Sequence, residues 1–251
     1  MKKFRIIARF DINNENVVKG KCLEGLRKVG KPNIMSEKYY HEGIDEIIFL
    51  DAVASLYDRN SLIDILKEAT KETFVPITIG GGIKTLKDIK NALSAGADKV
   101  AINTEAVKNI NFINEAVETF GSQAIVGSIV ARKHRYGWEV FIDNAKHRTH
   151  IDVIEWAKKL EKAGVGELMI TSVDNDGRLK GFDIALIKEI IHHVKIPVIA
   201  SGGAGKSQDI IDLYDETNCD AVAIASMLHY NIENISDIKD NLAKNNIKVR
   251  A

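Results

Sequence analysis

Asp11 closes the apolar run RIIARF and so places a carboxylate at the end of a candidate buried strand. A carboxylate at that end of a parallel strand is positioned to move protons, and partial burial would raise its pKa toward neutrality. Lys19 follows in a polar, glycine-punctuated connection, residues 12–31, from which it could close over a phosphate or a reacting centre. A solvated surface lysine is the plainer reading. Two further apolar runs end in glycine turns, Gly80-Gly81-Gly82 and Gly202-Gly203. Glycine lets backbone N–H groups come close to an anion. The strands after these turns end in Asn103-Thr104 and Ala225-Ser226. Two equivalent anion sites across one mouth suit a ligand with a phosphate at each end. SVDNDG (172–177) carries Asp174, Asp176 and Gly177, although Asp-Gly alone is an ordinary turn signal.

A second set of charges, Arg5, Glu46, Lys99 and Glu167, lies where strands begin. Side chains alternate along a strand, so residues an even number apart share a face. Arg5 and Asp11 are six apart; Lys99 and Asn103, and Glu167 and Thr171, are four apart. If the later residues face inward, so do these charges. Two cations and two anions would then meet in a ring that is costly unless well paired. The alternative is four rim charges facing solvent. In VGSIVARK (126–133) an apolar run ends on Val130, where a second carboxylate would balance Asp11.

These residues need a scaffold. Short β-branched runs recur at 4–11, 46–52, 75–80, 98–103, 124–129, 166–172, 196–201 and 220–225, separated by amphipathic stretches such as SLIDILKEATKE and TLKDIKNALSAG. Near-continuous apolar strands alternating with helices indicate a parallel sheet covered on both faces. Eight such units in 251 residues predict one (β/α)₈ TIM barrel spanning residues 1–251. An open doubly wound sheet is the alternative, but no GxGxxG opens the first helix. The stretch 76–103 repeats at 197–225, and 45–55 at 166–176, so the barrel reads as two related half-barrels. The connection 131–150 contains YGWEVFI, which could form a hairpin.

Lys+Arg and Asp+Glu both number 35, so no net field favours nucleic acid. Cys22 and Cys219 are far apart and outside any metal-ligand spacing, which fits a reducing compartment. No apolar run approaches the roughly 20 residues of a membrane span. The expectation is a soluble cytoplasmic protein.

Taken together, RIIARFD, VVKGKCLEGLRKVGKP, DEIIFLDAVAS, IGGGIKTL, GADKVAINTEAV, FGSQA, GELMITSVDNDG and IPVIASGGAGK resemble the cyclase subunit of imidazole glycerol phosphate synthase, the HisF family. The resemblance spans nearly the whole chain. The sister isomerase of histidine synthesis shares the half-barrel plan, but VVKG, SVDNDG and SGGAGK suit the cyclase better.

The resemblance implies a partner glutaminase whose ammonia enters at the barrel's bottom. Ammonia passes a gate formed by Arg5, Glu46, Lys99 and Glu167 and reaches a bisphosphorylated ribulosyl aminoimidazole-carboxamide ribonucleotide (PRFAR) at the top. The products are imidazole glycerol phosphate and AICAR. No cofactor or metal is implied. Asp11 would be one acid/base residue, with Lys19 on the loop over the substrate. Gly82, Asn103 and Thr104 would hold one phosphate; Asp176, Gly177, Gly203, Ala225 and Ser226 would hold the other. Asp51, Thr171 and Ser201 would line the pocket, and Asp98 would lie on the partner-docking face.

The chain departs from the family pattern twice. Arg9-Phe10-Asp11 stands where Cys-Leu-Asp is usual, and Val130 stands at the second catalytic aspartate. Losing one acid/base residue costs roughly 10²–10⁴-fold in rate. Three other readings accompany the cyclase. One is a relative that uses channelled ammonia for amidino sugars in surface-polysaccharide synthesis, a branch that RIIARFD and VASLYDRNSL also resemble. Another is a non-catalytic phospholigand-binding subunit that activates a glutaminase. The last is an engineered Asp→Val variant.

Overall fold

The computed structural model describes residues 3–52 and 61–250. Most of VASLYDRNSL (53–62) and the end of DEIIFLDAVAS lie outside the described residues.

Among the described residues there are twelve strands: β1 (Arg5–Asn13), β2 (Asn16–Lys21), β3 (Glu24–Gly30), β4 (Glu46–Asp51), β5 (Ile77–Gly80), β6 (Lys99–Ile102), β7 (Ile125–His134), β8 (Gly137–Ile142), β9 (His147–Asp152), β10 (Glu167–Ser172), β11 (Val198–Ser201) and β12 (Ala221–Ile224). Eight of them pair in parallel in the order β1-β4-β5-β6-β7-β10-β11-β12, and β12 pairs back to β1. The sheet is therefore a closed (β/α)₈ barrel, with helices following its strands.

The alternation read from the sequence sets the layers. On β1, Ile6, Ala8 and Phe10 pack outward with the helices in the main core, while Ile7 faces inward against Ile48, Ala101, Val126, Met169, Ile199, Ala221 and Ala223. This apolar plug is the middle of the barrel. The inward positions below it are Arg5, Glu46, Lys99 and Glu167; those above it are Arg9, Asp11, Ser128, Val130, Thr171 and Ser201.

The half-barrel repeat recurs in the hydrogen bonding. Asp98 accepts from the Ile77 N–H at 2.8 Å, and Asp220 accepts from the Val198 N–H at 2.7 Å. Asp88 caps the helix Leu86–Ser94 through the N–H of Lys84 and Thr85, as Asp209 caps Ser207–Thr217 through Gly205 and Lys206. Each cap satisfies N–H groups that a helix start leaves without partners.

Two connections differ from the sequence reading. Residues 12–31 are largely a hairpin: β1 runs on through Asn13 and pairs with β2, which pairs with β3. The strand containing VGSIVARK does not end at Val130 either. It continues to His134 because β8 pairs antiparallel along it, with Val130 opposite Phe141. The YGWEVFI hairpin forms, and β9 adds a third strand to it.

Candidate active site at the barrel mouth

At the bottom of the barrel, the four charges meet. The Arg5 guanidinium donates to Glu46 Oε1 at 2.8 Å and also to Glu167. Lys99 Nζ donates to Glu46 Oε2 at 3.2 Å and to Glu167 Oε2 at 3.0 Å. Each charge thus touches two of opposite sign, and Arg5, Glu46 and Glu167 are buried. This alternation offsets the desolvation that makes such a ring costly unless well paired. Asp98 is exposed beside Lys99 at this end of the barrel.

At the top, one cleft is lined by Asp11, Asp51, Gly82, Asn103, Thr104, Val130 and Thr171, together with Arg9, Lys84, Lys108 and Ser128. Val130 therefore shares the mouth with Asp11. A smaller space lies beside Lys19, Asp176, Gly177, Ser201, Gly203, Ala225 and Ser226, with Arg9 again on its wall. The sequence-predicted top residues thus fall into two neighbouring groups.

The residue that joins them is Arg9, which sequence reasoning recorded only as a departure from the family pattern. It is buried, and its guanidinium donates to Asp11 Oδ1 at 2.9 Å, Thr171 Oγ1 at 3.1 Å and Ser201 Oγ at 3.0 Å. Position 9 shares the inward face of positions 5, 7 and 11, and that periodicity was the available signal.

Lys19 also differs from its expectation. It lies on β2 rather than in a loop, it is buried, and its ammonium donates at 2.9 Å to Asp11 Oδ2 and to both oxygens of Asp176.

These two cations reverse the expected tuning of Asp11. Burial on its own would raise the Asp11 pKa, but the charges and hydrogen bonds of Arg9 and Lys19 outweigh it. The carboxyl is held well below the usual carboxylate range, so it is ionised and fully paired at neutral pH. Asp174 takes no part in this network; its carboxylate accepts from the Lys133 N–H at 2.7 Å and ties β7 to the loop after β10.

His229 supports the same strand end. Its Nε2 donates to the Arg9 carbonyl at 3.0 Å, which leaves Nδ1 to accept from the Tyr39 hydroxyl at 3.0 Å. The Arg9 carbonyl can only accept and so fixes a proton on Nε2, while Phe10 and Tyr39 pack against the ring. Burial, with a further contribution from Lys19, pushes the His229 pKa down to about 4. The folded value lies below the unfolded one, so the contribution to stability is complete above about pH 6.5 and falls as pH drops toward 4. Chemical denaturation across that range is expected to show a loss of about 3 kcal/mol from this group. His229→Gln should remove that slope; an unchanged slope would show that His229 is not its source.

The histidine biosynthesis protein family model matches residues 5–234. The chain is 50% identical to the imidazole glycerol phosphate synthase subunit HisF of Legionella pneumophila, over 83% of this chain and 99% of that one. It is 44% identical to the HisF subunit of Bacillus cereus and 42% identical to that of Methanococcus vannielii, in each case over 98% of both chains. The chain belongs to the HisF family. Within that family it carries Arg9 and Val130 at the mouth, and the closed four-charge ring at the other end. Among the described residues, no helix is long and apolar enough to cross a membrane, and no group of three or more His, Cys, Asp and Glu is placed to hold a metal.

Proposed function

We propose that the chain is the cyclase subunit of an imidazole glycerol phosphate synthase. It takes ammonia from a partner glutaminase and converts PRFAR to imidazole glycerol phosphate and AICAR, with ring closure slowed by Val130. One observation carries this reading: a paired ring of charges, an apolar interior and a polar cleft lie in line along the barrel axis. Neutral ammonia suits an apolar passage, because ammonium would have to shed its hydration to enter. In the cleft, Gly82, Asn103 and Thr104 would take a phosphate, and Asp51, Thr171 and Ser201 would position the rest of the substrate. Asp11 would accept a proton from the attacking nitrogen once Arg9 or Lys19 loosens its hold.

Incubation with PRFAR and ammonium, following loss of substrate absorbance, tests the proposal. Slow turnover is expected, and Asp11→Asn should abolish it. Failure of PRFAR to bind would overturn the reading.

One observation favours a second reading. Arg9 and Lys19 neutralise Asp11 and Val130 puts no carboxylate at the end of the inward face of β7, so the four-charge ring and the apolar interior stand without the acid/base pair that the resemblance implies. That combination fits a HisF-like relative supplying ammonia for amidino-sugar formation. Glutaminase activation by this chain without PRFAR turnover, in Val130→Asp as well, would support it.

A further inference from the structure

Val130 leaves its strand end without a carboxylate, yet three acids besides Asp11 line the cleft: Asp51, Glu105 and Asp143. They differ in what carries them. Asp51 ends β4, which pairs with β1, so it stands on the same side of the mouth as Asp11. Glu105 belongs to the helix Thr104–Lys108 that follows β6. Asp143 directly follows β8, the strand that pairs with β7 opposite Val130.

That pairing decides where Asp143 stands. Along one edge of β7, β10 runs as far as Ala131. Along the other edge, β6 stops with Ile102 opposite Gly127, and β8 takes over with Phe141 opposite Val130. Because β8 is antiparallel to β7, the chain descends toward the mouth as it passes from Phe141 to Asp143. Continued by two residues, the register brings Asp143 level with Ser128, the inward residue just below Val130. Its carboxylate is therefore carried one strand over from the place where a second acid was expected.

The turn is fixed there. The Asn103 side-chain amide donates to the Phe141 carbonyl at 3.2 Å, and the Asp143 N–H donates to Thr104 Oγ1 at 3.1 Å. Asp143, Asn144 and Ala145 have left-handed backbone, with φ of 52°, 56° and 63°. L-residues enter that region at a cost and usually singly, so a run of them marks strain that the surrounding contacts maintain. The Asp143 side chain is 17% exposed, and its Oδ2 lies 4.0 Å from Nε2 of the exposed His147. Asp11, by contrast, is gripped by both Arg9 and Lys19.

We infer that Asp143 is the second acid/base residue of this mouth, a catalytic residue delivered by the β8–β9 turn in place of a carboxylate at position 130. The inference rests on the cyclase reading. When ammonia adds to the ribulosyl carbonyl carbon, the C–N bond forms as the carbonyl π pair moves to oxygen. The nitrogen gives a proton to Asp11, and the oxygen takes one that Asp143 relays from solvent. The step ends in a neutral amino alcohol.

kcat and KM with PRFAR and ammonium test this in the natural chain, Asp143→Asn, Val130→Asp and the double variant. Asparagine tolerates left-handed backbone, so Asp143→Asn keeps the turn. It should lower kcat by about 10²-fold with little change in KM. In the Val130→Asp background the same substitution should cost far less, because the acid has returned to the strand end. A structural role for Asp143 would cost as much in both backgrounds, and that result would overturn the inference. So would an Asp143→Asn protein with the natural kcat. Either result leaves the cyclase reading standing, whereas no turnover by the natural chain or by Val130→Asp would remove both.

Discussion

Val130→Asp is expected to raise ammonia-dependent turnover of PRFAR by about 10²-fold, the lower end of what a general acid/base residue contributes. Val130 is an inward residue of β7, in the same face as Val126 and Ser128, and it lines the cleft with Asp11 and Thr171. Its backbone is fixed on both sides, paired with Thr171 of β10 and Phe141 of β8. A new carboxylate would therefore enter the mouth without moving the strand. Partial burial favours its protonated form, which a proton donor needs, while the Arg9 cation on the same wall works against it. The gain stays below the full range because Asp11 remains paired with Arg9 and Lys19. Adding Arg9→Cys to Val130→Asp frees one side of Asp11, and the double variant should exceed either single one. The measurement is kcat/KM with PRFAR at saturating ammonium. A well-folded Val130→Asp protein with an unchanged rate would show that the missing acid does not limit the reaction.

Glu167→Ala should cost about 3–5 kcal/mol of stability, the typical penalty for leaving a buried charge without its partner. The ring would lose its contacts to both Arg5 and Lys99, leaving two cations to share Glu46. For a chain of this length, that corresponds to a fall in Tm of roughly 6–20 °C. Glu167→Gln keeps the volume and part of the hydrogen bonding, so its loss should be smaller. Thermal unfolding of both variants decides the matter. A loss under about 1 kcal/mol for Glu167→Ala would place the ring among exposed ion pairs of little energetic weight. On the proposed ammonia route, Glu167→Ala should also change glutamine-coupled turnover more than turnover with added ammonium.

The barrel was legible because its signals are local and repeated. Eight β-branched runs and the period-2 alternation determine which residues face inward, and the duplicated Gly-Gly turns mark the two halves. The even spacing of Arg5 and Asp11, Lys99 and Asn103, and Glu167 and Thr171 already contained the two charged ends of the barrel. The same repeat made Val130 the approximate second-half counterpart of Asp11. The β2–β3 hairpin was less legible, since its polar residues alternate weakly and its pairing with β1 depends on β1 running past the barrel rim.

What the sequence by itself determined is the composition of each layer: charges below, apolar residues between, and polar groups with Val130 among them above. Only the tertiary structure decided how those charges pair. Arg9 reaches Thr171 and Ser201 across 162 and 192 residues of chain, and Lys19 reaches Asp176 across 157. Barrel closure and the direction of the hairpin bring these groups within hydrogen-bonding distance, and no local pattern encodes either. That pairing, rather than the residue types, holds Asp11 ionised.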